Sequence, residues 1–238
     1  MSVSLLEHCL YINLTDRSDR LTHLLPQLKK MGICGERFSA IKTTSGAVGC
    51  TMSHLKCLKI AKERNYPHVF ICEDDITFLN PTLLKENLQK FVNYNIHWDV
   101  IILGGNNCPP YQCIGDFSIK VSNCQTTTGY IVNHHYYDTL ISNFNESVRN
   151  LLNNTENKRE FAIDMHWKKL QQRDFWFMIV PPTVTQYEDY SDIEGKCVNY
   201  TYLMTDLDKK WLFNRDLNQQ KQKTSAPTFH NMTYYNGH

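Results

Sequence analysis

Three acids in a row, Glu73, Asp74 and Asp75, follow directly on the apolar run 68–72 ("HVFIC"). Like charges this close repel, and each needs water or a counter-ion. At the end of a buried strand, clustered hard carboxylate oxygens suit Mg²⁺ or Mn²⁺, held jointly by one or two acids and by substrate phosphates. A cation there would stabilise charge developing on a departing diphosphate. The plainer reading of the triplet taken alone is a set of solvated caps on the next turn.

Other residues able to do chemistry lie near. Asn13 closes the first apolar run, "HCLYINL" at 8–14, and Arg17 and Arg20 follow it. Guanidinium forks there could bind a diphosphate or frame a base. Their bland role is a surface helix start with Asp16 and Asp19 as local partners, and Asn13 could simply satisfy a chain turn. In "GAVGCTMSH" (46–54), Gly46 and Gly49 would allow close backbone approach, while Ser53 and His54 open a predicted helix whose positive end favours phosphate. Ser53 as an N-cap alone is the plainer alternative. Cys50, His54 and Cys57 lack a fourth ligand at proper spacing, and two soft thiolates beside hard acids are incoherent as a zinc site.

The elements that must carry these residues alternate. Strands are predicted at 8–14, 36–41, 68–75 and 98–105, with helices at 20–33, 53–65 and 80–95. Pro26 interrupts or kinks the first helix, and Asn80-Pro81 suits the start of the third. Residues 106–128 read as loop, and 129–144 as a further strand and helix. Strands apolar on both faces and alternating with helices argue for an α/β fold, a mainly parallel sheet flanked by helices. In such sheets ligands bind outside the carboxyl ends of the strands, where the triplet and Gly104-Gly105 fall. One domain over 1–205 is expected, followed by a polar tail at 206–238, partly ordered at most.

The 238 residues carry a formal net charge of +1, with Lys and Arg scattered, so neither nucleic acid nor an anionic membrane is an expected partner. The N-terminus lacks the pattern of a signal peptide, and no stretch is apolar enough to insert stably in a membrane. Nine cysteines without a CxxC pair agree with a reducing compartment, so a cytoplasmic location is expected and the Asn-x-Ser/Thr sequons are discounted. Oligomeric state is not legible.

"YINLTDRSDR" (11–20), "GAVGCTMSH" (46–54) and "ICEDD" (71–75) together resemble glycosyltransferase family 25, the lipooligosaccharide-type and collagen-type galactosyltransferases. "TTTGYIVNHHYYDTLI" (126–141) and "IDMHW" (163–167) fit later pieces of the pattern, and the likeness spans about residues 8–195. Thr15-Asp16 departs from the family's "NLDRR", and nothing beyond 200 maps, so a late metal ligand has no place; His230 is a weak candidate for it.

The resemblance implies a GT-A-type, Rossmann-like fold and transfer of a sugar from a UDP-sugar to a glycan or glycoprotein acceptor, with Mn²⁺ or Mg²⁺. By analogy with Asp-x-Asp it makes Glu73 and Asp75 metal or metal-water ligands and brings Asp74 to the ribose or sugar, though which two of the three acids touch the ion is open in the sequence. If the reaction inverts, Asp164 at a helix start would take the acceptor proton; its plain alternative is a helix cap. Gln186, Tyr187, Asp189 and Asp192 would line the acceptor side, and the donor would meet Asn13, Arg17, Arg20, Ser53 and His54. Two rivals remain open: a non-catalytic sugar-nucleotide-binding protein of this fold, and a metal-dependent nucleotidyltransferase.

Overall fold

A computed structural model describes residues 4–154, 158–191 and 193–211. The chain runs β1 (Cys9–Asn13), α1 (Ser18–Met31), β2 (Gly35–Ser39), α2 (Gly46–Glu63), β3 (His68–Glu73), β4 (Ile76–Phe78) and α3 (Pro81–Tyr94). It continues with β5 (Val100–Asn107), β6 (Gln112–Ile114), β7 (Ser118–Lys120), β8 (Cys124–Asn133) and α4 (Tyr137–Asn153). Short helices α5 (Lys158–Phe161), α6 (Ile163–His166) and α7 (Lys168–Arg173) precede β9 (Trp176–Ile179). Then come β10 (Val184–Gln186), β11 (Asp189–Ser191), β12 (Lys196–Val198) and α8 (Thr201–Thr205).

Eight strands form the main sheet in the order β2-β1-β3-β8-β5-β9-β7-β6. β1 is parallel to β2 and β3, and β5 to β9, while β8 runs antiparallel to both β3 and β5. The fold is thus α/β and Rossmann-like, of GT-A type, with a mixed sheet: a core of β2, β1, β3, β5 and β9 points one way, β8 is inserted against it, and β7 and β6 add antiparallel ladders at the edge. Because β8 is reversed, its N-terminal residues arrive among the carboxyl ends of β1, β3 and β5. That reversal decides which residues meet in the crevice.

Both faces of the sheet are buried, which explains the continuous apolar runs of β3 and β5. On one face Leu58 and Ala61 of α2, Leu140 and Phe144 of α4, and Trp167 cover Ile71, Ile102 and Tyr130. On the other, Leu24 and Leu28 of α1 and Leu84, Leu88 and Phe91 of α3 cover Phe70, Ile101 and Phe177. A ribbon of β4 and β10 joins this second layer, with Ile76 opposite Gln186.

Several boundaries differ from the sequence reading. α1 runs uninterrupted through Pro26 and stops at Gly32, whose left-handed φ of 71° lets its N–H return to the carbonyls of Leu28 and Lys29. α2 begins at Gly46, well before the expected start at 53, because its first turns carry small residues and no apolar stripe. The stretch 106–128, expected as loop, supplies β6, β7 and the start of β8; strands of three residues leave little periodicity to read.

Residues Met1–Leu207 form one compact unit. Of the remainder, 208–211 are described, so most of the expected polar tail, with His230, lies outside the described residues. Among the described residues no helix is long and apolar enough to cross a membrane.

Candidate active site

β3 ends on Glu73, and the chain turns at once through Asp74 and Asp75 into β4. The turn is fixed from outside: the Tyr187 N–H donates to the Asp75 carbonyl at 2.6 Å. The three carboxylates face different partners. Glu73 Oε1 lies 3.1 Å from His54 Nε2 and accepts the Thr127 hydroxyl. Asp74 accepts from Asn13 Nδ2 at 2.7 Å and from Arg20 Nη1 at 2.9 Å. Asp75 Oδ2 is 3.7 Å from the same Arg20 nitrogen, and its Oδ1 is buried without a hydrogen-bond partner.

The electrostatics follow that division. Burial works to raise the Glu73 carboxyl, but the hydrogen bonds and charge of His54 and Thr127 bring it below its ordinary value. Burial raises Asp74 in spite of Arg20. Asp75 is pushed well up, by burial first and by the Glu73 charge second, with Arg20 opposing. Burial also disfavours charge on Arg20, yet Asp75 and Asp74 overcome it and hold the guanidinium more firmly protonated.

Arg20 thus supplies part of the counter-charge that the triplet demands. Its Nε also reaches Asp189 at 3.2 Å and its Nη2 the Tyr190 carbonyl at 2.8 Å. Arg17 makes parallel bonds, to Asp19 and, at 2.5 Å, to Asp189. The two arginines therefore tie the acid floor to the β11–β12 hairpin. Asn13, 1% exposed, spends its amide on Asp74 and the Arg17 carbonyl and accepts from Arg37 Nη2 at 2.6 Å. It buttresses the strand end.

The motif "GAVGCTMSH" works differently from its sequence reading. Ser53 and His54 do not open the helix; they lie in its third turn, remote from its positive end. Ser53 Oγ accepts the Ile41 N–H at 2.8 Å and donates to the Gly49 carbonyl at 2.7 Å. A Cβ on Gly49 would stand 2.4 Å from the Ile41 carbonyl oxygen. Gly49 and Ser53, four residues apart, thus seat the loop after β2 against α2. His54 Nδ1 lies 2.9 Å from the Tyr130 hydroxyl, which fixes the ring that faces Glu73.

Cys50 lines the crevice and, with His54 and Glu73, forms a cluster of ligand atoms within 4.8 Å, whereas Cys57 turns into the core. Burial, and after it the charges of Glu73 and Asp164, push the Cys50 thiol well up.

Asp164 lies in the short helix α6, and it caps a strand residue: its Oδ2 accepts the Thr126 N–H at 3.0 Å. Thr126 has φ of 69°, a left-handed conformation costly for a β-branched residue, and this bond helps hold it. Trp167 and Gln171 fasten the same strand end, Gln171 bonding both the N–H and the carbonyl of Cys124. Burial raises the Asp164 carboxyl, the Thr126 amide lowers it, and Glu73 raises it further, for a net rise. His166, its local rival, faces Glu146 at 3.3 Å.

Asn13, Arg17, Arg20, Ser53, His54, Glu73, Asp74, Asp75 and Asp164 all line one crevice of about 580 Å³. Gln186 and Tyr187 border it, Asp189 joins through the arginines, and Asp192 lies outside the described residues. Trp167 and Trp176 are fully buried core. Sequence reasoning missed Thr127, Tyr130 and Arg37. A threonine run at the head of a strand is the signal for the first; nothing local marks the others.

Among the described lining residues five are carboxylates (Glu73, Asp74, Asp75, Asp164, Glu194) and three are Lys or Arg (Arg17, Arg20, Lys42). Acids outnumber Lys and Arg in the crevice, which favours a cation there over a bare anion. Asp75 Oδ1, buried and unpartnered, beside an ionised Glu73, is a donor set of hard oxygens that fits Mn²⁺ or Mg²⁺.

Residues 42–167, just over half of the chain, match the model of glycosyltransferase family 25 (LPS biosynthesis protein). Among curated proteins none matches the chain. Among solved structures, a UDP-glucose pyrophosphorylase complexed with UDP-glucose is similar at TM-score 0.47 and 8% identity, over 92% of this chain and 99% of that one. A Drosophila galactosyltransferase 7 mutant gives 0.41 and 12%, over 94% and 82%. A glycosyltransferase acting in glycosylation of the major capsid of PBCV-1 gives 0.35 and 9%, over 73% and 91%. Likenesses at this level say nothing about substrate.

Proposed function

Because the chain belongs to glycosyltransferase family 25, we propose that it moves a hexose from a UDP-sugar to a hydroxyl of a glycan or glycoprotein, with Mn²⁺ or Mg²⁺ and with inversion. The observation that carries the finer reading is the convergence of the triplet, both arginines and Asp164 on one crevice at the strand ends. A cytoplasmic location belongs to the same reading.

Glu73 and Asp75 would hold the ion, which when bound supplies positive charge against the diphosphate of the departing UDP. Asp74, oriented by Asn13 and Arg20, meets the ribose or the sugar. Arg17 and Arg20 keep the β11–β12 hairpin against the acid floor and bring guanidinium charge to the donor side. Asp164, held through Oδ2 by the Thr126 amide, takes the proton of the acceptor hydroxyl. That oxygen forms its bond to the anomeric carbon as the bond to the diphosphate oxygen breaks, and the electron pair leaves with UDP. One displacement from the opposite face inverts the centre. A carboxyl raised by burial is a stronger base than an ordinary aspartate.

The test is incubation with a panel of UDP-hexoses and Mn²⁺, with the released nucleotide identified. UDP appearing slowly with water and faster with a sugar acceptor supports the reading. Release of UMP or pyrophosphate, or no turnover of any donor, contradicts it.

A further inference from the structure

At the far end of the sheet from the crevice, a second group of ligating side chains converges. Asp99 directly precedes β5, His135 follows β8, and His97 lies two residues ahead of Asp99. The register sets Glu73 level with Gly105, six residues beyond Asp99, so at about 3.3 Å per residue this group stands roughly 20 Å from the acid triplet. The Nε2 atoms of His135 and His97 lie 2.7 and 3.7 Å from the same oxygen, Asp99 Oδ1. The three ligand atoms lie within 4.8 Å of one another, and the two imidazoles stack with centroids 5.1 Å apart.

We propose that His97, Asp99 and His135 form a second metal site, for a divalent first-row ion of the zinc type, independent of the catalytic one. Two imidazoles and one carboxylate are a set that suits Zn²⁺, Ni²⁺ or Cu²⁺ and disfavours Mg²⁺ or Mn²⁺. With metal–ligand bonds near 2.0–2.1 Å, ligand atoms about a tetrahedral ion stand about 3.3 Å apart. The observed 2.7 and 3.7 Å straddle that separation, so shifts of about half an ångström admit an ion. The ion takes the place of the hydrogen bond between His135 Nε2 and Asp99 Oδ1, and the neutral ring that ligates through Nε2 carries its proton on Nδ1, so coordination needs no net loss of a proton.

The outer layer is already built. Asp99 is 5% exposed, and its other oxygen, Oδ2, accepts the Phe175 N–H at 2.8 Å, which leaves Oδ1 as the ligand. The Phe175 ring packs edge-on against His97 at 5.1 Å. His97 and His135 are both exposed, so an ion can enter and water can complete its shell. Bound there, the ion would clip the start of β5 to the end of β8, beside the Phe175 N–H that already holds Asp99. Any ion that binds only the folded chain stabilises it.

The experiment uses the whole chain at pH 7.5 with Mn²⁺ in excess, so that the catalytic acids are occupied, and Zn²⁺ as the probe. Equilibrium dialysis is expected to find one Zn²⁺ per wild-type chain, with a melting temperature that rises on addition. His97→Gln and the double change His97→Gln with His135→Gln should weaken uptake tenfold or more and abolish the rise. Their metal-free melting and their Mn²⁺-dependent turnover should stay near wild type, since both rings are on the surface and remote from the crevice. Zn²⁺ uptake equal in wild type and double variant overturns the proposal, and so does no uptake by wild type.

Discussion

Asp164 Oδ2 accepts the main-chain N–H of Thr126 at 3.0 Å, and Thr126 holds a left-handed φ of 69°. The carboxylate proposed as the base is thus also what steadies the strained head of β8. Asp164→Asn keeps an oxygen that can accept the same N–H while losing the base. Its kcat is expected to fall by about 10²–10⁴ with donor KM little changed, at a melting temperature no lower than wild type. Steady-state kinetics beside a thermal melt check this; an equal fall for donor binding and for kcat would assign Asp164 a structural role.

The same residue sets opposite pH trends for activity and stability. Its carboxyl is raised above the ordinary 3.8, so the base form, and kcat, are lost as pH falls through a range above that of a usual aspartate. Between 3.8 and the raised value the folded chain holds a proton that the unfolded chain releases, so this group's contribution to stability declines as pH rises. Melting curves of wild type and Asp164→Asn across mildly acid pH should converge at the low end and separate above it, with the variant the more stable.

Ser53 is expected to act on the fold. Ser53→Ala leaves the Ile41 N–H without its partner, a loss of about 1–3 kcal/mol. Urea unfolding measures it. A variant of unchanged stability whose UDP affinity collapses would restore the phosphate-binding role for this residue.

Arg20 is the counter-ion that Asp74 and Asp75 find within the chain. Removing one partner of a buried ion pair costs about 3–5 kcal/mol, and Arg20, 15% exposed, should fall near the lower figure. Arg20→Ala is expected to melt well below wild type in EDTA, with the gap narrowing in Mn²⁺. A gap unaffected by Mn²⁺ would show that the ion does not reach the triplet.

The triplet, the alternating elements and the parallel core could be read from the sequence because each is local: a run of like charges, a period, a pair of apolar faces. Asn80-Pro81 likewise marked the start of α3, where Asn80 accepts the Leu83 N–H. What could not be read depends on topology. The reversal of β8 brings Thr126 and Thr127 beside Glu73, and the polar start of β8 looks like loop. Gly49 and Ser53 read as ligand contacts because small residues serve ligands and packing alike; only the approach of the Ile41 carbonyl decides between them. Arg17 and Arg20 gave no hint of Asp189, about 170 residues away in the chain, which takes up part of both guanidiniums.

The central claim is that a divalent ion joins Glu73 and Asp75 to the donor diphosphate, and anomalous diffraction at the manganese edge from crystals soaked in Mn²⁺ and UDP tests it most directly. The account expects one peak in the crevice, within bonding distance of both carboxylates and of phosphate oxygens, and its disappearance in Asp75→Asn. UDP bound in the crevice with no manganese against those two acids would contradict it.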